Sequence, residues 1–309
     1  MSISEATINA LYHRYLGRDA DSDGLAYFQT FDTPMEVERL IIGSDEFKRS
    51  DTIVRQPITH SAWKICILEE AKLIFVPIAK NAHTAIMSAF MAFKGIDWRT
   101  LAIADKTVKE YGRDDDKIHY VLSSNNTKLL MKDHSPQFVD EVMKDREYIR
   151  IAVFRDPVDR LVSVCNHFFL QELHNPVALR HSQPVLEACD FAPESGTIAQ
   201  RQEAWLRKLL KFISQTNANE LDPHWIPQHT YISGLKIDHI LPVERLDVLE
   251  RIVTARSGKK LTIGQLNVRG NGKRPDDQSV SSELRELIDD IYWLDRRLYD
   301  AGRARVDAI

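Results

Sequence analysis

Two segments of the chain carry anion-binding groups in positions a fold could exploit. In FVPIAKNAHTAIMSAF an apolar run ends at Val76-Pro77-Ile78, a short turn carries Lys80, and a helical pattern begins at once. Such a turn aims backbone N–H groups and the positive end of a helix dipole at an anion. Lys80 adds a full charge, and Thr84 adds a hydroxyl donor in the first helical turn. The turn is not a Walker A loop: G-x-x-x-x-G-K-[ST] is absent and the turn has no glycine. In YIRIAVFRDPVDRLVSVCNHFF a second apolar run delivers Arg155 to its C-terminal end. Pro157 then opens a helix at its first position, and Ser163 lies about two turns in. Ligands of open α/β sheets collect at the carboxyl ends of strands, where the planar fork of Arg155 is placed to grip a phosphate. Asp156 suits the helix dipole, and Asp159 and Arg160 read as structural ion-pairing residues.

Two other patterns imitate metal sites. Asp19, Asp21, Asp23 and Gly24 copy the opening of a calcium loop, but its twelfth position is Thr30 rather than a bidentate Glu. Turn chemistry is the better account. His167, His174 and His181 fall seven apart, yet Pro176 interrupts any helix that would join them. No metal is expected.

The elements needed to hold the two cradles are legible. KLIFVPI (72–78), YIRIAVF (148–154) and DHILPVE (238–244) are buried-strand candidates. Helices are predicted from about Ala82 to Phe93, from Pro157 to about Leu173 and from Arg245 to Ala255, with further helices near 199–213 and 281–300. Strands alternating with helices predict an α/β fold with a mostly parallel central sheet flanked by helices. Residues 1–56 read instead as a small all-α domain. Ile8, Leu11, Tyr12 and Tyr15 recur at helical spacing, and Gly24 to Phe31 suggests a second short helix. Thr33 and Pro34 read as N-cap and first position of a third helix through Val37, Leu40 and Ile41, and Ser44 to Arg49 gives a last turn. RQPITHSAWK is the expected linker to a second domain over 60–309.

The N-terminal segments LYHRYLGRDADSDGLAYF and LIIGSDEFKRS resemble a small helical domain common in bacterial proteins and related to phycobilisome linkers. That likeness implies no chemistry, though such a unit could bind a protein partner or mediate oligomerisation. From about residue 70 to 300 the chain resembles the sulfotransferases that use 3′-phosphoadenosine 5′-phosphosulfate (PAPS), in particular the branch acting on carbohydrates. Lys80-Asn81-Ala82-His83-Thr84, with Ala85 following, is similar to the motif that holds the 5′-phosphosulfate, except that Ala79 replaces the usual proline and His83 a usually small residue. Arg155 through Ser163 matches R-D-P-x-x-R-L-x-S without a gap, which implies that Arg155 and Ser163 hold the 3′-phosphate. DPHWIPQ (222–228) resembles the H-W-x-P-Q segment of the carbohydrate branch, and LPVERLDVL the strand and helix after it. LNVRGNGKRP (266–275) sits where the family closes a loop over the nucleotide, which makes Arg269, Lys273 and Arg274 phosphate-contact candidates.

The resemblance implies a P-loop-like sulfotransferase fold, PAPS as co-substrate, and a hydroxyl-bearing acceptor, in that branch a glycan. Sulfuryl transfer moves a charged group in line between two oxygens, so positioning and electrostatics dominate. Lys80 is then expected to neutralise charge on the leaving phosphate oxygen. His134, in LLMKDHSPQF, is the expected general base, since its distance before the second motif resembles the family's; His119 and His224 are the rivals. Residues 175–198 read as a family-variable insertion that lines the acceptor site.

Composition narrows the field. A formal charge of −4 over 309 residues argues against a broad nucleic-acid-binding surface. Three widely spaced cysteines, Cys66, Cys165 and Cys189, suggest neither a zinc knuckle nor a disulfide framework. No signal-peptide pattern and no membrane-spanning run is visible, which leads to an expected cytoplasmic location. Two other functions compete. A P-loop kinase or NTPase needs a Ser or Thr beside the lysine, where Asn81 stands. A non-catalytic nucleotide- or glycan-binding protein would bind without turnover.

Overall fold

The computed structural model describes residues 3–16, 18–49, 64–114, 117–189, 195–216, 220–232, 235–264 and 280–309. The expected linker lies outside them except for Lys64, and so do Arg269, Lys273 and Arg274. The chain opens with four helices: α1 (Glu5–Leu16), α2 (Ser22–Phe28), α3 (Pro34–Gly43) and α4 (Asp45–Arg49). Thr33 caps α3 in a capping box with Glu36, and Pro34 follows at the first position. Ile8, Leu11, Tyr12, Tyr15, Val37 and Ile41 close a small core of their own. Asp21 caps α2 by accepting the Gly24 N–H at 2.7 Å, and Asp19 pairs with His13 at 2.6 Å, so the acidic run does turn and capping work.

Four strands follow: β1 (Cys66–Leu68), β2 (Leu73–Val76), β3 (Ile149–Phe154) and β4 (His239–Pro242). They lie side by side in that order. β2, β3 and β4 are parallel, and β1 is an antiparallel edge not foreseen in the sequence. Between β2 and β3 run α5 (His83–Phe93), α6 (Lys106–Tyr111), α7 (Lys117–Ser124) and α8 (Pro136–Lys144). Between β3 and β4 run α9 (Pro157–Cys165), α10 (Pro176–Ala188), α11 (Ile198–Gln215) and the short α12 (His229–Ile232). After β4 come α13 (Leu246–Ser257), α14 (Ser282–Ile291) and α15 (Trp293–Arg305).

β2 is buried along its length, and β3 and β4 toward their C-terminal ends, which is why those stretches read as apolar runs. Ala152 and Phe154 face a core shared with α9, α11 and α14. Ile151 and Val153 face the opposite core, shared with α5, α7 and α13. α15 lies close on β4: a Cβ on Gly302 would stand 2.6 Å from the Ile240 carbonyl oxygen. The predicted helix from Pro157 ends as α9 and continues as a π-helical turn over Asn166–Gln171. Pro176 opens α10 at its first position, with Asn175 as cap. The single helix predicted near 281–300 is two helices, broken at Tyr292.

The helical unit docks on the α/β layer. Trp293 and Leu294 of α15 pack against its core, and Arg39 of α3 pairs with Asp290 of α14 at 2.8 Å.

Candidate active site

β2 and β3 are parallel neighbours, so the turns that follow them open at one edge of the sheet. The first turn is conformationally unusual. Lys80 and Ala82 adopt left-handed backbone angles, φ 69° and 58°, although neither is glycine. Such residues cost of order 1–3 kcal/mol each and persist only where surrounding contacts over-determine them. Those contacts are present. The Lys80 carbonyl accepts from the Arg155 guanidinium at 3.2 Å, and the Ala79 carbonyl from Arg160 at 3.1 Å. Asn81, 1% exposed, donates to the Val153 carbonyl at 2.8 Å. The left-handed turn therefore does without glycine because β3 and α9 hold it.

Gln228 fastens the two cradles together. Its side-chain oxygen accepts from Asn81 Nδ2 at 2.5 Å and from the Arg155 N–H at 3.0 Å. Its amide donates to the Arg155 carbonyl at 2.9 Å. Arg160, 1% exposed, grips the same strap from beneath, donating to the carbonyls of Ile226 at 2.9 Å and Pro223 at 3.3 Å. It is thus a buried brace rather than the ion-pair partner of Asp159 expected from sequence. Asp156 caps α9 through the N–H groups of Val158 and Asp159 and pairs with Arg296 of α15 at 2.5 Å. Ser163 stands half-buried in the second turn of α9. Lys80 Nζ lies 5.8 Å from the centre of the Phe168 ring.

Basic groups crowd this edge. His83, the first residue of α5, stacks on His119 of α7 with ring centres 4.3 Å apart. His119 Nε2 lies 2.9 Å from the Thr84 hydroxyl, while its Nδ1 is buried without a partner among the described residues. Burial, reinforced by neighbouring Lys64 and His224, brings the His119 pKa down to about 3. Burial and His119 put His83 well below the ordinary value. Lys64 is also lowered by burial, with Asp222 opposing. Burial therefore disfavours the charged form of several neighbouring basic groups at once.

Behind Lys80, one carboxylate holds two imidazoles. Asp222 meets His224 Nδ1 and His181 Nδ1, each at 2.6 Å. Burial raises the Asp222 pKa, but His224 and His181 outweigh it and keep the carboxylate ionised. Burial lowers His224 to about 4 against the pull of Asp222. Facing an ionised carboxylate, both imidazoles donate from Nδ1, which leaves Nε2 as the basic nitrogen of His224. The three groups offer ligand atoms within 4.8 Å of one another and are, among the described residues, a set that could take a divalent ion. His181 comes from α10, so the segment read as a variable insertion reaches the site. His167 instead lies 3.3 Å from Arg113, so the histidines seven apart do not converge.

His134 is not brought to this edge. It follows a 3-10 turn that folds back, stacks on Phe138 at 4.7 Å, and feels the charges of Glu69, Lys128, Asp133 and Lys94. Glu69 and Lys94 stand where β2 begins, at the opposite end of the parallel strands from Lys80. Between His134 and the second motif the chain runs through α8 before it enters β3. Sequence reasoning also missed Gln228, Asp222 and Arg160 as site residues. The DPHWIPQ resemblance held the signal for the first two, but only contacts show what they bind.

A family model described as the sulfotransferase family matches residues 63–300. Comparison with curated proteins and with solved structures returned no match.

Proposed function

The chain belongs to the sulfotransferase family, and from that premise we propose that it moves a sulfuryl group from PAPS to a hydroxyl of a saccharide acceptor. One observation carries the donor assignment. The Lys80 turn and Arg155 are adjacent enough for Arg155 to bond the Lys80 carbonyl at 3.2 Å, so one small nucleotide can reach both. Lys80, with the N–H groups opening α5 and the Thr84 hydroxyl, suits the 5′-phosphosulfate; Arg155 and Ser163 suit the 3′-phosphate. The Mg²⁺-binding hydroxyl of a P-loop NTPase is missing, and Asn81 is committed to Val153 and Gln228.

The general base is His224. Asp222 fixes its ring through Nδ1, as an orienting carboxylate does in a catalytic dyad, and burial, with smaller contributions from His181 and Lys80, depresses its pKa. Its Nε2 takes the proton of the acceptor hydroxyl while that oxygen bonds to sulfur. The bond from sulfur to the 5′-phosphate oxygen breaks in line. Lys80 neutralises the charge left on that oxygen, and the products are a sulfate ester and 3′-phosphoadenosine 5′-phosphate (PAP). A ligand bound only by the folded state raises its melting temperature. PAP is expected to stabilise the protein well above ADP or ATP in a thermal shift; equal shifts from all three, or none, refute the donor assignment. Transfer of radiolabelled sulfate from PAPS onto a panel of oligosaccharides then tests the acceptor class.

A further inference from the structure

The interface between the helical unit and the α/β layer holds a chain of buried polar groups that an apolar docking surface would not need. Glu38 of α3 is 7% exposed, His229 is 7% exposed and Asp295 of α15 is fully buried. Tyr15 of α1 donates its hydroxyl hydrogen to Glu38, and its oxygen lies 3.3 Å from His229 Nε2. Glu38 itself stands 3.8 Å from that nitrogen. On the other side of the ring, His229 Nδ1 meets Asp295 at 2.9 Å. Asp295 then accepts two backbone N–H groups, Gln228 at 2.6 Å and His229 at 2.8 Å. Gln228 is the residue that clasps Arg155 and Asn81. A continuous path of hydrogen bonds and charge contacts therefore runs from the N-terminal helices to the nucleotide cradle.

Burying a carboxylate and an imidazole at a docking surface is costly unless each group is paired, and apolar side chains of similar size would dock at lower cost. What the polar chain adds is direction. It fixes the carboxylate of Asp295 against two successive N–H groups and so sets where the Gln228 amide points. We propose that Glu38 and His229 are positioning residues of the nucleotide pocket, which makes the N-terminal helical unit a working part of the transferase site rather than an appended module. The inference rests on the reading of Arg155 as a 3′-phosphate ligand.

The test is titration calorimetry with PAP on the full chain, comparing wild type, Glu38→Gln, Tyr15→Phe, Arg155→Ala and the Glu38→Gln/Arg155→Ala pair. Networks of this kind modulate distant sites by roughly tenfold, and a loss of that size in PAP affinity is expected for Glu38→Gln. ADP, which has no 3′-phosphate, should lose much less. In the Arg155→Ala background Glu38→Gln should add little, because both act on one contact. A general loosening of the fold would instead weaken ADP equally and add in full. Either of those results overturns the proposal, as does unchanged PAP affinity in folded Glu38→Gln and Tyr15→Phe. If Glu38→Gln does not fold, Tyr15→Phe decides, because it keeps the ring and loses only the hydroxyl. Wild-type protein that binds no PAP overturns the donor assignment and this inference with it. Wild-type binding with unaffected variants overturns the inference alone.

Discussion

Replacing Gln228 by methionine tests the clasp between the two cradles most directly. Methionine nearly matches the volume of glutamine, so packing changes little, while three hydrogen bonds of 2.5, 2.9 and 3.0 Å disappear. Asn81 keeps its bond to Val153. The N–H and C=O of Arg155 lose Gln228, and each buried polar group left short of a partner costs about 1–3 kcal/mol. Arg155 is only partly buried, so the lower half of that range applies and the total is about 2–4 kcal/mol. For a domain of roughly 150–250 residues each kcal/mol lowers the melting temperature by roughly 2–4 °C, which gives a fall of roughly 4–16 °C. The nucleotide should feel it too, since the guanidinium of Arg155 loses the backbone anchor that aims it. Scanning fluorimetry with and without PAP separates the two effects: a lower melting temperature in the apo protein and a smaller ligand-induced shift. A folded Gln228→Met protein with unchanged melting temperature and unchanged PAP shift refutes the clasp.

Lys80→Ala and Arg155→Ala should each weaken PAP binding, and Lys80→Ala should also reduce kcat; calorimetry showing wild-type affinity in both defeats the site. His224→Ala is expected to lower kcat by about 10²–10⁴-fold while His134→Ala leaves it near wild type, and the reverse order in initial-rate assays returns the base to His134. Stability should peak near neutral pH. His224 is held at about 4 by burial, so from its ordinary 6.5 downward the unfolded chain binds protons that the folded one refuses, and stability falls with acid. Burial disfavours charge on His229, but Asp295 and Glu38 raise it to about 9, so that stabilisation is whole below 6.5 and is lost as pH rises through 9. A melting temperature that is flat from pH 5 to 9 contradicts both shifts. Zn²⁺ should inhibit by occupying His181, Asp222 and His224, and His181→Ala should relieve the inhibition in a zinc titration.

The sequence by itself determined the parts governed by neighbours along the chain. The apolar strand runs, the Thr33-Pro34 helix start and the turn residues around Asp21 depend on a few adjacent side chains, and they stand as the pattern implied. The placing of Lys80 and Arg155 just past the ends of two apolar runs was likewise visible, because it depends only on where each strand stops. Tertiary structure decided which distant residues stand near those tips. His134 and His224 are both histidines at plausible distances, and only the path of α8 and the hold of Asp222 separate them. Arg160 reads in sequence as an ion-pairing residue and Gln228 as the last residue of DPHWIPQ, yet each is buried because distant backbone segments converge on it. Local pattern cannot encode that convergence, since hydrogen-bond partners more than sixty residues apart meet only when the sheet has brought its strand tips to one edge.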